Sequence, residues 1–338
     1  MSDYGTVDRL LHHLSLAHPS VGEVAFALDQ MFFSADPVEA GHHVYVAGLA
    51  RAGTTVLMRR IHDSGEFRSL TYADMPFVLA PNLWRSIRQS RSKVVHSGPR
   101  AHGDGIIVNS ESPESFEEVF WRTFAGASFI APSHLSPHDP DHDLIDKYRS
   151  FVASVLRTGH TSRYLCKNNN NILRLSTIRS AFPNATILIP YRNPIDQASS
   201  LLRQHLRFKS LQQADSFTDS YMKWLVHHEF GGDHRAFAVG RESAYATDTL
   251  AYWVDQWLAV YGWLQKTAPK DALWVRYESL CEKPQYWDLL AQKLEIQHDN
   301  GLTEFNRPPP RKRDHAMDLP DGLLKIAEAQ YQDLPHLV

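Results

Sequence analysis

The residues Gly48-Leu49-Ala50-Arg51-Ala52-Gly53-Thr54-Thr55 combine glycines, an arginine and paired hydroxyls in one short stretch. These are the residue types that cradle a phosphate. Glycine lets the backbone turn tightly and come close to an anion. The first amides of a helix point unpaired N–H groups at it. Arg51 adds a fixed positive charge, and the Thr54 and Thr55 hydroxyls donate further bonds. This chemistry needs a strand, a turn and a helix start in that order. Val44 to Leu49 supply the apolar and β-branched residues of a short buried strand, and from Val56 to Ile61 the apolar residues fall at helical spacing. A glycine turn that only packs a helix on a strand is the alternative reading of this stretch.

The loop departs from the GxxxxGK[ST] pattern of nucleoside triphosphatases, where a lysine meets the β and γ phosphates and a hydroxyl binds magnesium. Thr54 stands where that lysine belongs, and the cation sits earlier, at Arg51. The arrangement suits an anion other than a metal-bound triphosphate. A second unit of the same kind follows. Thr186 to Tyr191 is a continuous apolar run, typical of a sheet buried on both faces. It stops at Arg192-Asn193-Pro194, and a helix starts over 195–205 with the proline in its first turn. Arg163 to Lys167 predicts another strand with a basic end, followed by a helix through Ile172, Leu175, Ile178 and Phe182. Cationic or hydroxyl groups at the separate turns suit a ligand with two anionic groups.

The remaining elements must hold these turns in place. Residues 6–17 and 21–33 predict amphipathic helices separated at His18-Pro19-Ser20. They form an arm over residues 1–40 that packs on the main domain or, in a homodimer, on a second subunit. Phe67 to Ala73 predicts a buried strand ending at Asp74, at the kind of position where open α/β sheets place ligands. Residues 85–105 are basic and glycine-bearing, with His102 in Ala101-His102-Gly103-Asp104-Gly105; they form a solvated loop or a wall that attracts an anion. Residues 112–125 predict a helix with Glu114, Glu117 and Glu118 as solvated first-turn charges. A helix near 141–158 leads to the strand at 163–167. Residues 205–265 read as helical and rich in aromatics, mostly for packing, with some lining an acceptor pocket. A short strand at 271–277, a helix at 284–294, a basic segment at 307–313 and a helix near 320–331 complete the chain. With no internal repeat and no long linker, residues 1–338 read as a single domain with a tail over 306–338.

Composition narrows the function classes. At 338 residues and 43% hydrophobic, the chain buries a substantial core. A net charge of −3 argues against nucleic acid as the main partner. The sequence carries neither a secretory-signal pattern nor a run of membrane-spanning length, so no integral membrane segment is expected. Cys166 and Cys281 are the only cysteines, which fits a reduced, cytoplasmic setting. The 19 histidines form neither HExxH nor a pair with CxxC, and His138-Asp139-Pro140-Asp141-His142-Asp143 resembles a metal site in composition only. No metal is expected.

Together these segments resemble the sulfotransferases that use 3′-phosphoadenosine 5′-phosphosulfate (PAPS), particularly the bacterial branch, from about Val44 to Leu294. AGLARAGTTVLMRRI is similar to their 5′-phosphosulfate loop, PRSGTT or PKSGTT. Arg51, Gly53, Thr54 and Thr55 match it, and Ala52 replaces the usual serine. IPYRNPIDQASSLL resembles the RDPxDxxxS element that grips the 3′-phosphate, with Arg192 and Ser200 matching and Asn193 replacing aspartate. LCKNNNN resembles the KTH segment, which gives Lys167 a catalytic role and puts Asn169 where the histidine base of cytosolic relatives stands. VRYESLCEKP is similar to RYEDL, so Tyr277 matches a tyrosine that approaches adenine. The usual C-terminal RKGxxGDWK loop is absent, and Arg311, Lys312 and Arg313 stand in for its phosphate contacts.

The resemblance implies an α/β three-layer sandwich with a central parallel sheet, a P-loop NTPase-like phosphate loop and helical additions. It implies PAPS as donor, the bisphosphate PAP as product and no metal. The acceptor presents a hydroxyl or an amine and is drawn from carbohydrates, lipid headgroups, phenols and secondary metabolites. Carbohydrate-directed relatives place a carboxylate base shortly after the phosphate loop, so Asp74 is the first choice and His102 the second. A small-molecule kinase and a non-catalytic nucleotide-binding module are the competing readings.

Overall fold

The computed structural model describes residues 6–36, 38–88, 98–99, 107–298, 304–305 and 319–337. An N-terminal pair of helices, α1 (Thr6–Leu16) and α2 (Pro19–Phe32), precedes β1 (Val44–Val46) and α3 (Thr54–His62). Next come β2 (Phe67–Arg68), α4 (Pro81–Arg88), the short pair β3 (Gly98–Pro99) and β4 (Ile107–Val108), α5 (Glu118–Phe129), β5 (His134–Leu135) and α6 (His142–Arg157). The central units are β6 (Arg163–Lys167), α7 (Leu175–Ala181), β7 (Thr186–Tyr191), α8 (Pro194–Ala214), α9 (Ser216–Trp224) and β8 (Ala236–Phe237). The chain continues through α10 (Leu250–Thr267), β9 (Leu273–Arg276), α11 (Tyr277–Glu282) and α12 (Pro284–Lys293) to α13 (Asp321–Asp333).

The main sheet is parallel, in the order β2-β6-β1-β7-β9. Side chains alternate between its two faces. Tyr45, Cys166, Ile187, Ile189 and Trp274 enter one core with Phe120 of α5, Phe151 of α6 and Trp257 of α10. Val44, Val46, Leu165, Leu188 and Val275 enter another with Leu57 and Met58 of α3 and Trp287 of α12. Helices on both faces make three layers, as the resemblance implies. β1 lies between β6 and β7, so the loops leaving these three strands converge at one end of the sheet. No helix among the described residues is long and apolar enough to cross a membrane.

The arm packs on its own domain. Asp29 of α2, fully buried, accepts from Asn82 Nδ2 (3.0 Å) and Leu83 N (2.8 Å), and Arg122 donates to the carbonyls of Leu16 and Ala17. Three expectations need correction. The strand expected over 67–73 stops at Arg68, because Asp74 and Thr71 close a capping box around a single 3-10 turn, Tyr72–Asp74. The helix expected from 112 starts at Glu118, because the preceding backbone is tied to residues 70–73: Tyr72 N donates to Ser112 O and Glu114 N to Leu70 O. The helical region of 205–265 is interrupted between α9 and α10 by turns and β8.

Candidate active site

The stretch between β1 and α3 contains two left-handed backbone positions, Arg51 (φ 69°) and Gly53 (φ 85°). Only glycine fits the second. A Cβ there would run into the ring of Tyr277, which packs against the Gly53 backbone. Gly53 is the N-cap of α3 and offers no side-chain hydrogen bond, so no cap from that position competes for the first amides of the helix. Thr54 and Thr55 are buried in the first turn. Ala52 is fully buried. Gln197 of α8, also fully buried, clamps the loop by donating to Ala50 O at 3.0 Å while its Oε1 accepts from Trp257 Nε1 at 3.1 Å.

The turn after β7 is built differently. Asn193 Oδ1 accepts from Ile195 N (3.1 Å) and Asp196 N (3.2 Å), so asparagine caps α8 as an aspartate would. Its own N–H donates to Glu278 Oε1 at 2.9 Å, and Glu278 Oε2 accepts from Tyr331 Oη at 2.8 Å. The Arg192 guanidinium lies 5.5 Å from the centre of the Tyr277 ring, a cation–π distance. Ser200, farther along α8, accepts from Arg51 Nε at 3.0 Å. Arg51, Gly53, Arg192, Ser200 and Tyr277 are thus one assembly, drawn from β1, β7 and β9 units.

Lys167 closes β6 in register with Val46, the last residue of β1, and is therefore beside the start of the loop that leads to α3. Its Nζ donates to Ser115 Oγ at 2.9 Å and lies 4.0 Å from Glu114 Oε1. The next residues are anchored from behind. Asn168 Nδ2 donates to Glu118 Oε2, and Glu118 also takes a bidentate pair from the fully buried Arg174 at 2.8 and 2.9 Å. Asn169 Nδ2 donates to Glu229 Oε1 at 2.7 Å.

Glu117 and Glu118 are buried, which overturns their reading as solvated charges. The Glu117 carboxylate accepts from Trp121 (3.1 Å), Tyr148 (2.8 Å) and Tyr164 (2.9 Å), and burial pushes its carboxyl up against those bonds. Glu118, Arg174, Gln197, Glu229 and Glu278 were not expected from the sequence. The one local signal was two adjacent glutamates at the start of an apolar helix, a position where burial of charge demands partners.

Asp74 is held by its own neighbourhood. Arg68 donates to Oδ1 (2.7 Å) and Oδ2 (2.8 Å), and Thr71 N (2.8 Å) and Oγ1 (3.3 Å) both donate to Oδ2. Three of these bonds fall on Oδ2 and one on Oδ1, so the carboxylate is fixed chiefly through Oδ2. Asp74 closes the turn after β2. His102, Arg311 and Arg313 lie outside the described residues.

Residues 43–287 match the model described as the sulfotransferase family. The chain belongs to that family. Sulfuryl transfer in general is therefore its chemistry. No curated protein matches the chain. Among solved structures it is similar to sulfotransferase STF1 from Mycobacterium tuberculosis H37Rv, at 14% identity and a TM-score of 0.48 over 92% of this chain and 78% of that one. It is also similar to sulfotransferase STF9 from Mycobacterium avium, at 14% identity and a TM-score of 0.43, covering 98% and 75% of the two chains. A third is the sulfotransferase from Alicyclobacillus acidocaldarius, at 13% identity and a TM-score of 0.40, covering 86% and 94%.

Proposed function

We propose that this sulfotransferase takes its sulfuryl group from PAPS and delivers it to a hydroxyl or amine of a small acceptor. The observation that carries the reading is the Arg51 Nε to Ser200 Oγ bond of 3.0 Å, which joins the loop before α3 to α8, the helix that follows the Arg192 turn, across 149 positions of the chain. The residues fit the donor. The α3 start, without a side-chain cap from Gly53, and Arg51 suit a 5′-phosphosulfate; Arg192 and Ser200 suit a 3′-phosphate; Tyr277, between Gly53 and Arg192, walls the nucleotide base.

Sulfuryl transfer resembles phosphoryl transfer in spreading charge over the oxygens of the moving group, so catalysis rests on positioned cations and amides. Arg51 and the Gly53 to Thr55 amides orient the moving group. Lys167, at a strand end in register with the loop, supplies positive charge to the departing oxygen. Ser115 holds that ammonium in place until the donor arrives.

The test is calorimetric titration with PAP, with ATP plus magnesium, and with PAP against Arg192→Ala. Tight PAP binding, weak ATP binding and at least a tenfold loss in the variant, roughly the 1.4 kcal/mol expected of one charge-assisted contact, are the expected results. Preference for ATP, or indifference to Arg192, refutes the donor and favours a kinase.

A further inference from the structure

The N-terminal arm has two apolar faces, and its own domain uses one of them. The inner face of α2 is closed: Gly22 and Phe26 are buried, Phe26 meets Phe120 and Phe124 of α5 edge to face, and Asp29 bonds Asn82 and Leu83. Val21, Val24, Leu28 and Met31 lie on the opposite side of the helix, and all four are exposed, Val24 at 60% and Met31 at 75%. Their spacing of three, four and three residues is the a/d pattern of a helix seam, and Phe32, 63% exposed, widens it. On α1, Leu10 and Leu14 are exposed one helical turn apart. Seven of the eleven exposed large apolar residues among the described residues fall on these two short helices.

At these exposures the seven residues offer roughly 700 Å² to a partner, beyond the about 300 to 600 Å² of the largest patch on a typical monomer and near the about 800 Å² per partner of a standard interface. Charge narrows the kind of partner. Between Thr6 and Phe33 there is no lysine, and the single arginine, Arg9, is engaged at α9, 4.7 Å from the centre of the Phe217 ring and 3.6 Å from Asp215. His12 and His13 pack against the rings of Tyr221 and Trp224 of α9. The arm lacks the basic fringe with which a surface helix holds an anionic membrane. A seam with a/d spacing and no basic residue is matched by another of its kind, and a second copy of the chain carries one.

We propose that two copies of this chain pair through the arm, α2 against α2 about a two-fold axis, with Leu10 and Leu14 of α1 extending the contact. An isologous contact suits a single patch, because each copy presents and receives the same side chains. With 14 residues α2 spans two heptads, too short to pair as an isolated peptide. Phe26 and Asp29 already fix it on the domain, so no helix has to be ordered on association.

Sedimentation velocity of the full chain at micromolar concentration is the test, and a species of twice 38.5 kDa is expected. Val24→Glu with Leu28→Glu places carboxylates in the shared seam and is expected to raise the dissociation constant at least about 100-fold. Val24→Ser with Leu28→Ser, which adds no charge, is expected to weaken pairing in the same direction, and it decides the matter if the glutamate variant fails to fold. Both positions are exposed in the single chain, so the circular dichroism spectrum should stay that of the wild type. Ile326→Glu, at a residue of α13 that is 58% exposed, is expected to leave the dimer intact. A monomeric wild type overturns the proposal, and if it then floats with phosphatidylcholine vesicles, the face serves a membrane instead. A dimer that survives the arm variants, or that Ile326→Glu separates equally well, also overturns it, because the contact then does not lie on the arm.

Discussion

Replacing Gly53 by alanine tests whether the phosphate loop is held against Tyr277 as the structure has it. The new methyl group meets two penalties. At φ 85° a residue with a Cβ is strained by about 1 kcal/mol or more, and the Cβ position is occupied by the Tyr277 ring. Moving a packed ring adds roughly 1 to 3 kcal/mol. Gly53→Ala should therefore lower unfolding stability by about 2 to 4 kcal/mol, and it should weaken PAP binding because the loop must shift. Tyr277→Ala alone should cost about 3 to 5 kcal/mol through the cavity it leaves. In the double variant the steric part vanishes, so the combined loss should fall short of additivity by roughly 1 to 3 kcal/mol. Urea unfolding of the four proteins, with PAP titration of each, measures the cycle. A Gly53→Ala protein within about 0.5 kcal/mol of wild type, or strict additivity, refutes the close approach of loop and ring.

Two further outcomes follow from buried charge. Glu118→Ala strips Arg174 of both carboxylate bonds while leaving the guanidinium fully buried, and should cost about 3 to 5 kcal/mol; a thermal unfolding midpoint equal to that of the wild type would contradict the bidentate pair. His43 accepts from Tyr164 N at Nδ1 (3.0 Å) and donates from Nε2 to Val38 O (2.9 Å), and burial lowers its pKa to about 4 from 6.5. The folded chain thus keeps His43 neutral where the unfolded chain already binds a proton. Its contribution is complete above about pH 6.5 and is lost as the pH falls to about 4, a span worth roughly 3 kcal/mol. Urea unfolding across that range should show a flatter decline for His43→Gln, and parallel curves would exclude the effect.

What the sequence determined by itself is local. The apolar strand, glycine turn and helical spacing of 44–61 placed the first strand–turn–helix unit, and the apolar run ending at Arg192-Asn193-Pro194 placed the second, because strand and helix periods and turn residues are written in adjacent positions. The motifs there carried the resemblance to the sulfotransferases, the family to which the chain belongs. The parallel sheet was legible for the same reason, from apolar runs alternating with helices. Tertiary structure decided which groups meet. Arg51 and Ser200 bond across 149 positions, and Asn169 reaches Glu229 across 60. No periodicity encodes such pairs. It also decided what each charge does. Asp74, the first choice for a base, has its carboxylate bonded by Arg68 and Thr71, which close a turn. Glu117 and Glu118 have the sequence of a solvated helix start, yet Tyr148, Tyr164, Arg174 and Asn168 converge on them from other segments. A carboxylate's role depends on the donors and the water around it, and those are set by segments distant in the chain that only folding brings into contact.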